Sequence, residues 1–216
     1  MNHAIARFRI ATALLVVLVL CAWTRSPAQS SDWDGPCDDG KCIAGVTNFG
    51  KVSANLWRGA KPTAEGFRAL EASGVTTIVD LENKFEDQTI QHREADCDLM
   101  EGTHLNYVNV PAHEWHPEEE DLVALLKVLR NPQSGIVYVH CAAGENRTGA
   151  MVAGYRRVVD GWSVEKTEAE MKAFGVARFW TPTNERFIRT LDEPEAKRIQ
   201  ARVEALEEIP VGGCKK

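Results

Sequence analysis

Along this chain the spacing of apolar residues switches repeatedly between two periods. Ile136 to His140 is a short apolar, β-branched run of the kind that forms a buried strand. Arg147 to Val159, directly after it, has its apolar residues at helical spacing. The same two signatures predict strands at Leu56 to Arg58, Thr76 to Leu81 and Leu105 to Val110. Helices are predicted between them at Thr63 to Ser73, around Asp87 to Met100, and at Pro117 to Leu129. Four more follow at Arg147 to Val159, Ser163 to Phe174, Asn184 to Leu191 and Pro194 to Glu208. Strands separated by helices pair in parallel through right-handed crossovers. The expected fold class is therefore α/β: a single three-layer domain with a central, mostly parallel sheet flanked by helices. Ile199, Val203 and Leu206 form an apolar stripe expected to pack the last helix onto the domain, and Trp162 and Trp180 are expected in the core.

Residues 1–28 do not fit this pattern. Arg7 and Arg9 precede an apolar run from Ile10 to Trp23, and Ser26-Pro27-Ala28 offers small residues before Gln29. Such a run is too short for an ordinary spanning helix and reads as a secretory signal, with residues 4–23 as an uncleaved anchor the alternative. We expect a secreted or periplasmic protein, membrane-bound only if that segment stays attached. The remaining boundaries are expected as a loosely ordered linker over 29–47, the main domain over 48–192, and a C-terminal helix and tail over 193–216.

Composition narrows the partners. A chain of 216 residues, 44% hydrophobic and 26% charged, suits one globular domain plus tails. Three of its 25 basic residues lie in the leader, leaving 22 against 31 acidic residues and a net charge of about −9 on the exported part. That field argues against nucleic acid and disfavours highly charged substrates unless a pocket carries its own cations. After export Cys37, Cys42, Cys97 and Cys214 remain besides Cys141, and could form two bridges in three ways, Cys37 with Cys42 being the first choice. Cys37 and Cys42 have no matching ligand pair for zinc, and neither metal nor cofactor is expected. A monomer is expected.

The chemistry concentrates in His140-Cys141-Ala142-Ala143-Gly144-Glu145-Asn146-Arg147-Thr148-Gly149. This loop joins a buried strand to a helix N-terminus, where unpartnered amides and the positive end of the macrodipole favour an oxyanion. The same donors favour a thiolate, so Cys141 is expected to be ionised near neutrality. Arg147 can hold two phosphoryl oxygens through its fork. Thr148 is close enough in sequence to hydrogen-bond the sulfur and make it a better leaving group. Ala142, Ala143, Gly144, Glu145, Asn146 and Arg147 would surround the phosphate, with Gly144 admitting backbone to the ligand and Gly149 letting the helix approach the sheet. His140 is expected to support the loop rather than act as a base. Arg58 reads as a solvated or paired turn residue, with the rim of the pocket as its alternative.

This string resembles the Cys-x5-Arg-Ser/Thr signature of the cysteine-dependent protein tyrosine phosphatase superfamily, in its dual-specificity-like branch of bacterial and fungal type. The resemblance covers roughly Asn48 to Phe187: Phe49 to Val52, Leu56-Trp57-Arg58-Gly59-Ala60-Lys61-Pro62, and Gly161-Trp162-Ser163 before a helix with Glu170-Met171. It implies hydrolysis of phosphate monoesters through a cysteinyl-phosphate intermediate, with Cys141, Arg147 and Thr148 catalytic.

Relatives of that branch use an aspartate some thirty residues before the cysteine as general acid, and this chain has none there. Pro111-Ala112-His113-Glu114-Trp115-His116-Pro117 offers Glu114 as first choice, then His113 and His116, with Asp80 or no acid as alternatives. Glu118, Glu119, Glu120 and Asp121 read as residues favouring a helix N-terminus, and Trp115 as packing for the loop. Resembling enzymes that act on inositol phosphates often place lysines in the signature. Here the variable positions are Ala142, Ala143, Glu145 and Asn146, so a singly phosphorylated partner such as phosphotyrosine in a protein or peptide, or a small phosphomonoester, is expected. The alternatives are an inositol phosphate or phosphoinositide phosphatase, and a phosphate-binding pseudophosphatase with weak turnover.

Overall fold

A computed structural model describes residues 35–37, 41–82, 96–113, 116–176 and 182–214. Among these residues six strands form one sheet: β1 (Gly50–Lys51), β2 (Leu56–Ala60), β3 (Val75–Asp80), β4 (Asn106–Asn109), β5 (Ile136–Cys141) and β6 (Gly212–Gly213). Their order is β1-β2-β5-β3-β4-β6; the four inner strands are parallel, and the two-residue strands at the margins are antiparallel. The helices are α1 (Ala64–Ala72), α2 (Glu119–Arg130), α3 (Asn146–Val158), α4 (Val164–Ala173), α5 (Pro182–Thr190) and α6 (Glu193–Ala205). The α/β class and the mostly parallel sheet agree with the reading of the sequence. Of the helix expected around Asp87 to Met100, the described part is the turn at 96–99.

Strand alternation divides the interior into two cores. Leu56, Val79, Val108, Val137, Val139 and Cys141 point to one face, which α2 to α6 cover. Trp57, Ile78, Tyr107 and Tyr138 point to the other, against Phe67 and Leu70 of α1. Helix α3 is buried from Thr148 to Met151 and onward through Arg156, so it forms the middle of the larger core rather than a half-solvated cover.

The helix starts follow local chemistry. Thr63, Ser163 and Asp192 are N-caps whose side-chain oxygens accept from the amides of Gly66, Lys166 and Glu195 at 3.1, 3.2 and 3.1 Å, each worth about 1 kcal/mol. The helix expected from Pro117 begins two residues later: Glu118 is its N-cap and Pro117 lies outside it. Glu119 and Glu120, expected only to favour the helix dipole, also pair with Arg198 and Arg202 of α6. Ile199 and Val203 are buried as expected, whereas Leu206 has left the helix at its C-cap and is 39% exposed. Trp162 is half-buried, not core, and carries Arg156 and Lys166 over its ring; Trp180 lies outside the described residues.

The packed unit extends past 48–192 at both ends. Cys37 pairs with Phe49 by two backbone hydrogen bonds and is disulfide-bonded to Cys42, and Val46 is fully buried. At the other end α6 packs on α2 and α3, β6 joins β4, and Cys214 is bonded to Cys97. At the C-terminal end these contacts join residues distant in sequence, up to 117 positions apart, which composition does not register. Among the described residues no helix is long and apolar enough to cross a membrane; the leader lies outside them.

Candidate active site

The parallel strands end together. Register pairs Ala60 with Cys141 and Asp80 with both His140 and Asn109, so the C-terminal ends of β2, β5, β3 and β4 lie side by side. In sheets of this kind ligands bind there. Cys141 is the last residue of β5 and 3% exposed, and α3 begins five residues on at Asn146. The hydrogen bond from Gly149 N to Glu145 O, 2.7 Å, closes the first helical turn. Helix geometry leaves the amides just inside that turn without intrahelical acceptors.

The loop from Ala142 to Glu145 is fastened from behind by its carbonyls. Lys61 N donates to Ala142 O at 3.1 Å, Asn48 Nδ2 to Ala143 O at 3.2 Å, and Arg58 Nη2 to Gly144 O at 3.0 Å. Gly144 has φ +70°, and a Cβ there would lie 2.4 Å from the carbonyl carbon of Gly59. Its lack of a side chain is thus needed by the backbone behind the loop, beyond any ligand in front. A Cβ on Gly149 would lie 2.6 Å from Val176 and 3.9 Å from Nη2 of Arg58 in β2, so the missing side chain admits Val176 as well as the sheet.

Arg58 differs most from its expectation. It is 1% exposed, its guanidinium lies 3.8 Å over the Phe174 ring, and Nε and Nη1 make no hydrogen bond. Burial lowers its pKa to about 10, opposed by the carboxylate of Glu170 and by Cys141, so it is a cation at neutral pH. Glu170 is itself held by Arg156, whose Nη2 donates to Oε1 at 2.7 Å. Pairing keeps both buried charges satisfied.

Arg147 sits in the first turn of α3 with its side chain mostly buried; Nη2 is 3.9 Å from Glu82 Oε1, and Nε makes no hydrogen bond. Glu82 is a site residue that sequence reasoning missed, although its position just past a strand end was a signal. Lys61 Nζ bridges Glu82 at 3.1 Å and Asp96 at 2.5 Å. Burial pulls the Glu82 carboxyl upward, but Lys61, His140 and Arg147 together hold it below the ordinary range. Glu82 is accordingly an anion that orients Arg147.

His140 is fully buried on the α1 side of the sheet. Nδ1 is 3.9 Å from Asp80 Oδ1 and Nε2 is 3.8 Å from Asp96 Oδ2. Burial pushes the imidazole below its usual pKa against the upward pull of Asp96 and Glu82, and pushes both aspartates up. The three residues bring possible metal ligands within 4.8 Å of one another. Lys61 pairs with Asp96 of this group and with Glu82, so the arrangement reads as an ion-pair cluster supporting the loop. Asp80 accepts from Tyr107 Oη and from Glu82 N, both at 2.8 Å, and is buried, which removes it from the candidates for general acid.

The Thr148 hydroxyl, expected to bond the sulfur, is buried without a hydrogen-bond partner, as is Asn146 Oδ1. Of the loop residues, Ala142 and Ala143 are exposed and Gly144 is buried. Glu145 is the N-cap position of α3 and makes no side-chain capping bond. His113 is partly exposed, 3.6 Å from Glu118 Oε1, and His116 is exposed. Glu114 and Trp115 lie outside the described residues.

Known proteins resemble this chain in sequence and fold. Residues 45–190 match the family model PTP-NADK, described as DSP-PTPase phosphatase fused to NAD+ kinase. The chain is 30% identical over 148 residues to the protein named probable tyrosine-protein phosphatase DG1060 of Dictyostelium discoideum, covering 67% of this chain and 86% of that one. It is 28% identical over 155 residues to dual specificity protein phosphatase TpbA of Pseudomonas aeruginosa, covering 71% of this chain and 62% of TpbA. A TpbA crystal structure with pTyr, 23% identical, superposes with a TM-score of 0.57 over 84% of this chain and 99% of that one. The Saccharomyces cerevisiae SIW14 catalytic core, 21% identical, gives 0.57 over 74% and 94%. These two superpositions establish the fold, and the family match, spanning more than half of the sequence, establishes the kinship: the chain belongs to the PTP-NADK family of DSP-type phosphatase domains.

Proposed function

We propose that this chain hydrolyses phosphate monoesters, with phosphotyrosine in a protein or peptide as its preferred substrate. The observation that carries the reading is the placement of Cys141 at the end of the central strand and Arg147 in the first turn of the next helix, around a loop tied back by its carbonyls. In the first step Cys141 Sγ attacks phosphorus and the bond to the leaving oxygen breaks; that oxygen takes a proton from a general acid. In the second step the conjugate base of that acid takes a proton from water as the water oxygen attacks phosphorus, the S–P bond breaks, and the thiolate and inorganic phosphate are released. Arg147 and the loop amides hold the equatorial oxygens through both steps. Glu114 is the first candidate for the acid, followed by His113 and His116. Thr148 would turn its hydroxyl to the sulfur as the S–P bond breaks.

Substrate class follows from charge. The exposed loop positions Ala142 and Ala143 bring no cation, and Glu145 adds a carboxylate. An open cavity of about 420 Å3 beside the loop is lined, among the described residues, by Thr47, Asn48, Glu145 and Phe174 among others, with no Lys or Arg. Similarity to the inositol diphosphatase SIW14, 28% over 103 residues, supports inositol polyphosphates as the second reading. A panel of phosphotyrosine peptides, inositol polyphosphates and p-nitrophenyl phosphate decides: peptides turn over fastest and Cys141→Ser is inert. Faster turnover of inositol polyphosphates reverses the substrate choice, and no turnover by reduced wild type leaves a phosphate-binding protein.

We also propose export. The leader pattern and the two disulfides, Cys37–Cys42 and Cys97–Cys214, support an oxidising compartment. N-terminal sequencing of the protein recovered from a periplasmic or culture fraction tests this, with a start near Gln29 expected. Recovery of intact protein solely from the cytoplasm overturns it.

A further inference from the structure

The three carbonyls that point away from the phosphate loop belong to consecutive residues, and each meets a donor from the segment between Asn48 and Lys61. A trans peptide unit is planar, with its N–H directed opposite to its C=O. No cis bond occurs among the described residues. Turning the carbonyls of Ala142, Ala143 and Gly144 outward therefore turns the amides of Ala143, Gly144 and Glu145 toward the concave side of the loop. One tether is a backbone amide, Lys61 N. The other two are the side chains of Asn48 and Arg58.

We propose that Asn48 and Arg58 are positioning residues that aim the amides of the phosphate loop at the substrate's phosphoryl group and at the Cys141 sulfur. The inference rests on the phosphatase reading of the site. Asn48 is well shaped for this role, because its backbone is left-handed, φ +51°, and its amide bonds both Ala143 O and Phe174 O, the latter at 3.1 Å. It thereby links the loop to the C-cap of α4. Arg58 is gripped between the Phe174 ring and Gly144 O, so its fork cannot follow solvent. Without these donors, the two carbonyls behind the loop lose their partners and the peptide units are free to rotate, replacing amides with carbonyl oxygens in front of an anion.

The test uses the full chain, with Asn48→Gly, which tolerates the left-handed backbone, and Arg58→Met, which keeps most of the volume without the donor. Cys141 is the free thiol among the described residues. Its iodoacetamide alkylation as a function of pH, read on the Cys141 peptide by mass spectrometry, reports thiolate formation without any turnover. Inorganic phosphate affinity is measured alongside. We expect phosphate binding to weaken by about tenfold in Asn48→Gly and about thirtyfold or more in Arg58→Met, as for a neutral and a charged hydrogen bond. The alkylation midpoint should move to higher pH in both. A purely structural role would lower the melting temperature and leave that midpoint in place. Folded variants with unchanged midpoint and phosphate affinity overturn the proposal; if Arg58→Met does not fold, Asn48→Gly decides alone. Wild type that binds phosphate with a low alkylation midpoint but never turns over a phosphate monoester refutes the enzyme and spares the tethers.

Discussion

Glu82 Oε1 faces Arg147 Nη2 at 3.9 Å, from just past the end of one strand to the first turn of a helix. Lys61 holds the other oxygen of the same carboxylate. Glu82→Gln keeps the shape and removes the charge that orients the guanidinium. We expect kcat/KM for p-nitrophenyl phosphate to fall about tenfold, equivalent to about 1.4 kcal/mol, with kcat the more affected. An unchanged kcat/KM would mean that Arg147 is positioned by the helix alone.

Leaving-group chemistry identifies the acid. Phenyl phosphate leaves as a basic oxygen that needs a proton, whereas p-nitrophenolate hardly does. If Glu114 supplies that proton, Glu114→Gln lowers turnover of phenyl phosphate by about 100-fold or more and barely alters p-nitrophenyl phosphate. The same pattern in His113→Asn or His116→Asn, and not in Glu114→Gln, would transfer the role.

The buried imidazole of His140 makes stability depend on pH. Its folded pKa lies below the ordinary value of 6.5 because burial disfavours the charged ring. Between those two values the unfolded chain binds more protons, so this residue's contribution to stability falls as pH drops below about 6.5. Asp80 and Asp96, raised by burial, act with the opposite sign near the carboxylate range. Urea unfolding at pH 7.5 and 5.5 should show a smaller pH dependence in His140→Asn than in wild type. Equal slopes in the two proteins would place the titration elsewhere.

Cys97 and Cys214 are 117 residues apart and join the turn at 96–99 to the C-terminal strand. A long closed loop of this kind contributes about 2–4 kcal/mol. The double variant Cys97→Ala, Cys214→Ala should melt several degrees lower, and amide exchange should quicken in Asn106 and Tyr107, the partners of β6. A melting temperature equal to wild type would show that the short strand holds without its bridge.

What could be read from residue order was local. Cys141, Arg147 and the strand-loop-helix around them lie on one continuous stretch from Ile136 to Val158, so spacing alone specified them. Arg58 could not be placed this way. A guanidinium beside Trp57 and Gly59 reads as surface until β5 and Phe174 are known to enclose it. Glu82, Lys61 and Asp96 come from three separate segments, and their pairing exists only after β3, β5 and the turn at 96–99 meet. The strand β6 is two glycines with no propensity of its own, formed because Cys214 is held beside β4. Glu119 was legible as a helix-dipole residue but not as the partner of Arg198 and Arg202, which approach from a helix some eighty positions away.

The marginal strands β1 and β6 have a further consequence for how the molecule behaves at high concentration. Each covers an outer parallel strand with two antiparallel residues, and β1 carries Lys51, whose ammonium lies 4.2 Å over Trp57. A neighbouring copy arriving at either rim meets a stub flanked by charge or by a covalent crosslink, not a long ladder of vacant amides. The sheet is thereby discouraged from recruiting its own kind into fibrils.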